Sequence, residues 1–137
     1  MPEPAAPRAV EETVLAFDFG LRRTGVAVGN TVTRSARPLA VISQSVEARR
    51  FEAIGRLIRE WQPQRLVVGV PREEGGTLVM TERCARFARQ LAGRYGLPVE
   101  TVDERYSSEA VDGGDDDGHV DAQAAALILE QWFNDGR

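Results

Sequence analysis

Four acidic residues in this sequence stand where an acid is hard to explain by stability alone. Asp18 ends the apolar run Val14-Leu15-Ala16-Phe17 and is followed by Phe19 and Gly20. Asp103 and Glu104 close the segment Pro98-Val99-Glu100-Thr101-Val102, and Asp121 opens an alanine-rich stretch. A charge taken out of water without a partner is expensive. Asp18 therefore has either a cationic partner, with Arg22 and Arg23 nearest in sequence, or a chemical task at a strand end. Asp103 and Glu104 are adjacent in an extended segment and point to opposite faces, so one of them faces Asp18. Carboxylates gathered at one edge repel one another by about 4 kcal/mol per pair at ~4 Å and an effective dielectric of about 20. A divalent cation removes that penalty. Hard oxygen donors without Cys or His select Mg²⁺ or Mn²⁺ over Zn²⁺. Two such ions about 3.5–4 Å apart activate a water and stabilise the leaving oxygen of a phosphodiester.

The elements that must position these acids follow from hydrophobic periodicity. Residues 13–19 and 24–30 read as two strands joined by a tight loop, and residues 38–42 as a third. Short connections make them an antiparallel meander. Phe51, Ile54, Leu57, Ile58 and Trp61 mark an amphipathic helix of about four turns, with Ser43 or Ser45 as its N-cap and Gln62-Pro63 as its stop. Residues 65–70 are apolar enough for a strand covered on both faces. A loop follows over 71–77. Leu78 to Tyr95 reads as a second helix with Val79, Cys84, Phe87, Ala88 and Leu91 turned inward and Gly96 as its stop. Residues 98–103 form the fifth strand, Ser107 to Val111 a short helix, and Asp112 to Gly118 a flexible loop. Residues 120–133 form the last helix, burying Ala124, Leu127, Ile128 and Trp132.

The order β-β-β-α-β-α-β-α predicts an α/β fold: a five-stranded mixed sheet with helices on both faces. Sites in such sheets lie beyond the carboxyl ends of the parallel strands. With strands one, four and five parallel, Asp18, the Pro71-Arg72 turn and the Asp103-Glu104-Arg105 segment share one edge. Asp121 joins them if the last helix packs beside the first strand. Gly20 frees the turn next to Asp18. Gly25 and Gly29 on the second strand mark a close backbone approach or a bulge.

Composition sets the outer bounds. With 137 residues, 42% of them hydrophobic and 28% charged, the chain fits one soluble domain, with residues 1–12 as a disordered tail and 13–137 as the domain. No apolar run approaches the roughly 20 residues that span a bilayer. The N-terminus has no signal-peptide core, and Cys84 has no partner for a disulfide, so the expected compartment is the cytoplasm. The net charge is −4, but it is unevenly spread. Residues 13–111 hold 15 arginines against 11 acids, and both ends are acidic. All basic side chains are Arg, suited to bidentate phosphate contacts. Arg22, Arg23 and Arg72 lie beside the acids, whereas Arg49, Arg56 and Arg59 read as solvated helix-face residues.

Four blocks occur in a familiar order. They are Phe17-Asp18-Phe19-Gly20 with Arg23-Thr24-Gly25-Val26-Ala27-Val28; Val68-Gly69-Val70-Pro71 with Gly76-Thr77; Val102-Asp103-Glu104-Arg105; and Val120-Asp121-Ala122-Gln123 leading into the alanine run. Over about residues 13–133 this pattern resembles the YqgF/RuvX family, described both as Holliday-junction resolvases and as nucleases of the pre-16S rRNA 5′ end. The resemblance implies an RNase H-like fold. It places the catalytic and metal-binding acids on Asp18, Glu104 and Asp121, with a two-metal Mg²⁺ or Mn²⁺ site. Arg22, Arg23, Arg72 and Arg105 are then the phosphate-positioning residues. The implied activity is metal-dependent hydrolysis of structured nucleic acid, either RNA in ribosome biogenesis or branched DNA in recombination and repair.

Two departures from the family pattern stand out. Tyr106 to Val120 is short and carries Asp112, Asp115, Asp116 and Asp117, where the family has a longer basic segment. Tyr106-Ser107-Ser108 replaces a small-apolar, Ser/Thr, Thr run. Competing readings are a nucleic-acid-binding module that does not cut, and a single-domain relic of the actin-like ATPase fold. Symmetric junction cleavage needs two active sites. No heptad or evident interface is present, so a monomer or weak homodimer is expected, with no membrane partner.

Overall fold

The computed structural model describes residues 11–71, 78–104 and 119–135. Its elements are β1 (Thr13–Asp18), β2 (Thr24–Asn30), β3 (Ser35–Ile42), α1 (Glu47–Trp61), β4 (Arg65–Pro71), α2 (Leu78–Tyr95), β5 (Val99–Glu104) and α3 (His119–Asn134). The strands form one sheet in the order β3-β2-β1-β4-β5. β2 is antiparallel to both β1 and β3, whereas β1, β4 and β5 run parallel. This is the five-stranded mixed sheet that the element order predicts.

Strand alternation divides the core in two. Leu15 and Phe17 of β1, with Leu66 and Val68 of β4, pack against Phe51 and Ile54 of α1 and Phe87 and Leu91 of α2. Val14 and Ala16, with Val67 of β4 and Val102 of β5, pack against Ala125, Ile128, Leu129 and Trp132 of α3. Helices therefore cover both faces: α1 and α2 one, α3 the other. The small side chains of Ala122, Ala124, Ala125 and Ala126 are all buried and let α3 lie close to the sheet.

Phe87 is the aromatic hub of the α1/α2 side. Its ring lies 5.8 Å from Phe17, 4.7 Å from Phe19 and 5.8 Å from Phe51. Phe87→Ala is expected to lower stability by about 3–5 kcal/mol, because three rings lose a common neighbour and a cavity remains. The check is a fall in the urea midpoint at an unchanged denaturant slope.

Several local expectations need correction. Ordered structure begins before Thr13. Glu12 holds Arg65 at 2.9 Å, and its main chain bonds Thr31. β3 starts at Ser35 rather than Pro38; Pro38 sits on this edge strand where the register against β2 shifts between Val26 and Ala27. A proline is tolerated there because a bulge on an edge needs no donor. α1 is capped by the backbone of Val46, without a side-chain bond from Ser43 or Ser45. Val79 is 58% exposed, one turn too early to reach the core that starts at Cys84. The short helix expected over 107–111 and the loop over 112–118 lie outside the described residues, as does the tail before Glu11. No helix among the described residues is long and apolar enough to cross a membrane.

Candidate active site

The alternation that builds the core also aims the acids. Asp18 follows Val14 and Ala16 in parity, so it leaves β1 on the α3 face. Glu104 follows Val102 onto the same face, whereas Asp103 is exposed on the other. α3 then brings Asp121 in its first turn to the strand end. Two glycines permit this approach. Gly25 is paired with Asp18 in the sheet, and a Cβ there would fall inside the Asp121 carbonyl. A Cβ on Gly69 would run into Ile128 of α3 and come within 3.0 Å of Glu104 Oε2. Gly25, hemmed in by backbone, excludes any side chain, whereas one at Gly69 would force Ile128 to shift; of the close approach or bulge expected at Gly25, the structure shows an approach to α3. Farther along, the Trp132 indole donates to Glu100 at 3.0 Å and the Gln131 amide donates to the Asp103 carbonyl, which ties α3 to β5.

Asp18 is buried and senses the other two carboxylates. Burial, then Glu104, then Asp121, push the pKa of Asp18 up to about 7. Burial raises that of Glu104 as well. The thiol of Cys84, buried near Glu104 and Asp18, is pushed up to about 12, first by burial and then by those two charges. It is therefore a neutral packing group rather than a thiolate ligand. No cation is ion-paired with Asp18 among the described residues. Arg23 pairs with Asp121 instead, Nε to Oδ2 at 3.0 Å. Among the described residues, no group of three His, Cys, Asp or Glu side chains is close enough together to hold a metal ion. The donor chemistry is all hard oxygen and suits Mg²⁺ or Mn²⁺.

The loop between β1 and β2 carries the nearby cations. Thr24 Oγ1 donates to the Gly20 carbonyl at 3.4 Å, and a Cβ on Gly20 would strike the Arg23 carbonyl. Arg22 is exposed and lines a cleft shared with α1 and α2, whereas Arg23 turns to Asp121. Arg72 and Arg105 lie outside the described residues. Sequence periodicity does not single out Arg50, which is buried at 6% exposure and donates from Nη2 to the Leu21 carbonyl at 2.9 Å. Its guanidinium stands 5.0 Å over the Phe19 ring. A signal for it exists: Arg50 precedes Ile54 by one turn on the inward face of α1.

The family model described as RuvX, Holliday junction resolvase, matches residues 12–135. The chain belongs to the RuvX family. A relative from Ralstonia pickettii, provisionally named a pre-16S rRNA nuclease, is 52% identical over 141 residues, covering 98% of this chain and 99% of its own. Among solved structures, Thermus thermophilus RuvC in complex with a Holliday junction substrate superposes with a TM-score of 0.55 at 17% identity, over 90% of this chain and 94% of that one. The fowlpox virus Holliday junction resolvase gives 0.55 at 12% identity, over 90% and 99%. These likenesses establish the RNase H-like fold for this RuvX member. At such identities they carry the fold alone.

Proposed function

We propose that this RuvX-family chain is a nuclease that hydrolyses phosphodiester bonds in structured nucleic acid through Asp18, Glu104, Asp121 and divalent cations. The observation that carries the reading is a buried acid at the β1 end with two more acids beside it: the pKa of Asp18 is pushed up to about 7, first by burial and then by Glu104 and Asp121. Such an arrangement opposes folding unless a cation or proton neutralises it. Asp18, Glu104 and Asp121 would hold Mg²⁺ or Mn²⁺. When bound, the metal would supply a water of lowered pKa and neutralise charge on the phosphate. Asp121 would part from Arg23 on loading, and Arg23 could then meet a phosphate oxygen of the strand. Arg22, with Arg72 and Arg105, positions flanking phosphates.

The substrate we favour is the 5′ end of pre-16S rRNA, supported by the name borne by a relative that aligns with nearly the whole chain. The family description supports a second reading, a four-way DNA junction. We place the protein in the cytoplasm as a monomer or weak homodimer. A side-by-side assay tests the function, using a pre-rRNA fragment, single-stranded RNA, single-stranded DNA and a four-way junction with Mg²⁺, Mn²⁺ or EDTA. The expected result is cleavage of the pre-rRNA fragment with either metal and none in EDTA. Preferential, symmetric cutting of the junction by a dimer would move the assignment to DNA. Cleavage that persists in EDTA would remove the metal mechanism.

A further inference from the structure

We propose that a cleft between the β1–β2 loop and helices α1 and α2 is a phosphate subsite that holds the substrate strand away from the cut. The inference rests on the nuclease reading and adds a place to it. The cleft has a volume of about 340 Å³, and four arginines from three separate elements line it: Arg22, Arg50, Arg83 and Arg86. Among the described residues its one acid is Glu47, which already accepts from the Gln90 amide at 2.6 Å. The charge balance therefore favours an anion strongly.

Arg50 makes this a built site. It is more than nine-tenths buried, and its guanidinium is fixed by the Leu21 carbonyl and the Phe19 ring. Its Nε is buried with no hydrogen-bond partner among the described residues. Burial draws the pKa of this guanidinium down, against the pull of Glu47. A desolvated cation of this kind gains from a nearby anion, because the low local dielectric strengthens the pairing. The Leu21 carbonyl and the Phe19 ring hold the guanidinium in place but leave its Nε without a hydrogen bond among the described residues.

The form of the surface selects a polyanion. A second hollow, lined by Arg22, Arg23, Ser43 and Ser45, shares Arg22 and Ser45 with the first. Together they make a basic track that starts at the Arg23–Asp121 pair and runs toward α2. Successive phosphates of one strand fit such a row, whereas one small anion would use only part of it. Ser43 and Ser45, expected from sequence as helix caps, are left to line this track.

The test uses full-length protein carrying Asp18→Asn, so that binding is read without cutting. Affinity for a labelled single strand is measured by fluorescence anisotropy across a salt series. Arg83→Gln with Arg86→Gln is expected to weaken binding about tenfold at low salt. It should also reduce the slope of log K against log salt by about 1.4, the value for two lost phosphate contacts on a single strand. The control is Arg56→Gln with Arg59→Gln, the same charge change at two exposed positions of α1. It should leave the slope unchanged. Both pairs are at the surface, and unchanged melting temperatures verify their folding. Equal effects of the two pairs, or none from either, would overturn the subsite. So would inorganic phosphate or a mononucleotide competing as well as the strand does, which would mark a small-anion pocket. Wild-type cleavage is scored separately. A cutting enzyme whose slope ignores Arg83 and Arg86 removes the subsite alone. A non-cutting protein whose slope responds keeps the subsite and removes the nuclease.

Discussion

Asp18→Asn protein is expected to fold, to melt at a higher temperature than wild type in EDTA at pH 8, and to lose at least about three powers of ten in cleavage rate with Mn²⁺. The two effects have one cause. The pKa of Asp18 is near 7 in the fold, raised first by burial and then by Glu104 and Asp121, against about 4 in an unfolded chain. A raised carboxyl pKa means the folded state binds the proton more tightly than the unfolded state. Asp18 is therefore neutral and harmless below pH ~4. Its unfavourable contribution grows as pH rises toward ~7 and is complete above it. The penalty is at most about 4 kcal/mol for three pH units. Asparagine keeps the shape and removes the charge, so the variant's advantage in EDTA should fade as pH falls from 8 to 4. Mg²⁺ should reverse the order, stabilising wild type and leaving the variant where it was. The lost rate follows because a metal-activated water and a neutralised phosphate contribute several kcal/mol to the barrier. Thermal melts at several pH values and a cleavage time course check both halves. Wild-type cleavage by Asp18→Asn would end the assignment of this carboxylate.

Gly25→Ala is expected to be the most damaging alanine substitution among the described glycines. The added carbon meets backbone atoms of α3, the Asp121 carbonyl and the Ala122 nitrogen, which no rotamer change can move aside. Either the start of α3 lifts from β2 or the strand bends. Overpacking of this kind costs about 3 kcal/mol or more when the obstacle is rigid. The functional loss should be larger than the loss of stability, because displacing a catalytic group by ~1 Å can lower a rate roughly a hundredfold. Gly93, where an added Cβ would meet nothing within 4 Å, supplies the control. Gly93→Ala in the exposed last part of α2 should be neutral or slightly stabilising. Urea unfolding and cleavage rates measured on both variants make the comparison. A Gly25→Ala enzyme as active as wild type would show that α3 does not need to sit this close.

These two residues also indicate what the sequence could and could not reveal. Asp18 was legible because an apolar strand does not end on an unpaired acid without reason. Period-two alternation left only one of Asp103 and Glu104 facing it, and the structure turns Glu104 to the α3 face. Gly25 was legible as a close approach or a bulge, but its partner was not, since Asp121 is far away in sequence. The antiparallel meander and the parallel set of β1, β4 and β5 followed from connection lengths and the apolar character of β4, whereas the order that flanks β1 with β2 and β4 is seen only in the structure. What escaped was set by tertiary contact. Arg22 and Arg23 are adjacent and looked alike, yet one faces the cleft and the other pairs with Asp121. Arg50 sits in the apolar stripe of α1, where the count of hydrophobic residues conceals it. Ser45 had the right chemistry to cap α1, but the helix starts one residue later on Val46.

The order in which the chain supplies its three acids has a consequence for biosynthesis. Asp18 comes from the first strand, Glu104 from the fifth, and Asp121 from the helix that follows every strand. A nascent chain therefore carries its first acid through the synthesis of all five strands without the last one. Without α3, Val14, Ala16, Val67 and Val102 lack their cover and Asp18 lacks Asp121, so such an intermediate would be inert. For an enzyme proposed to act on ribosomal RNA, that delay keeps a half-made molecule from cutting the machine that is making it. Activity should therefore appear only once α3 docks.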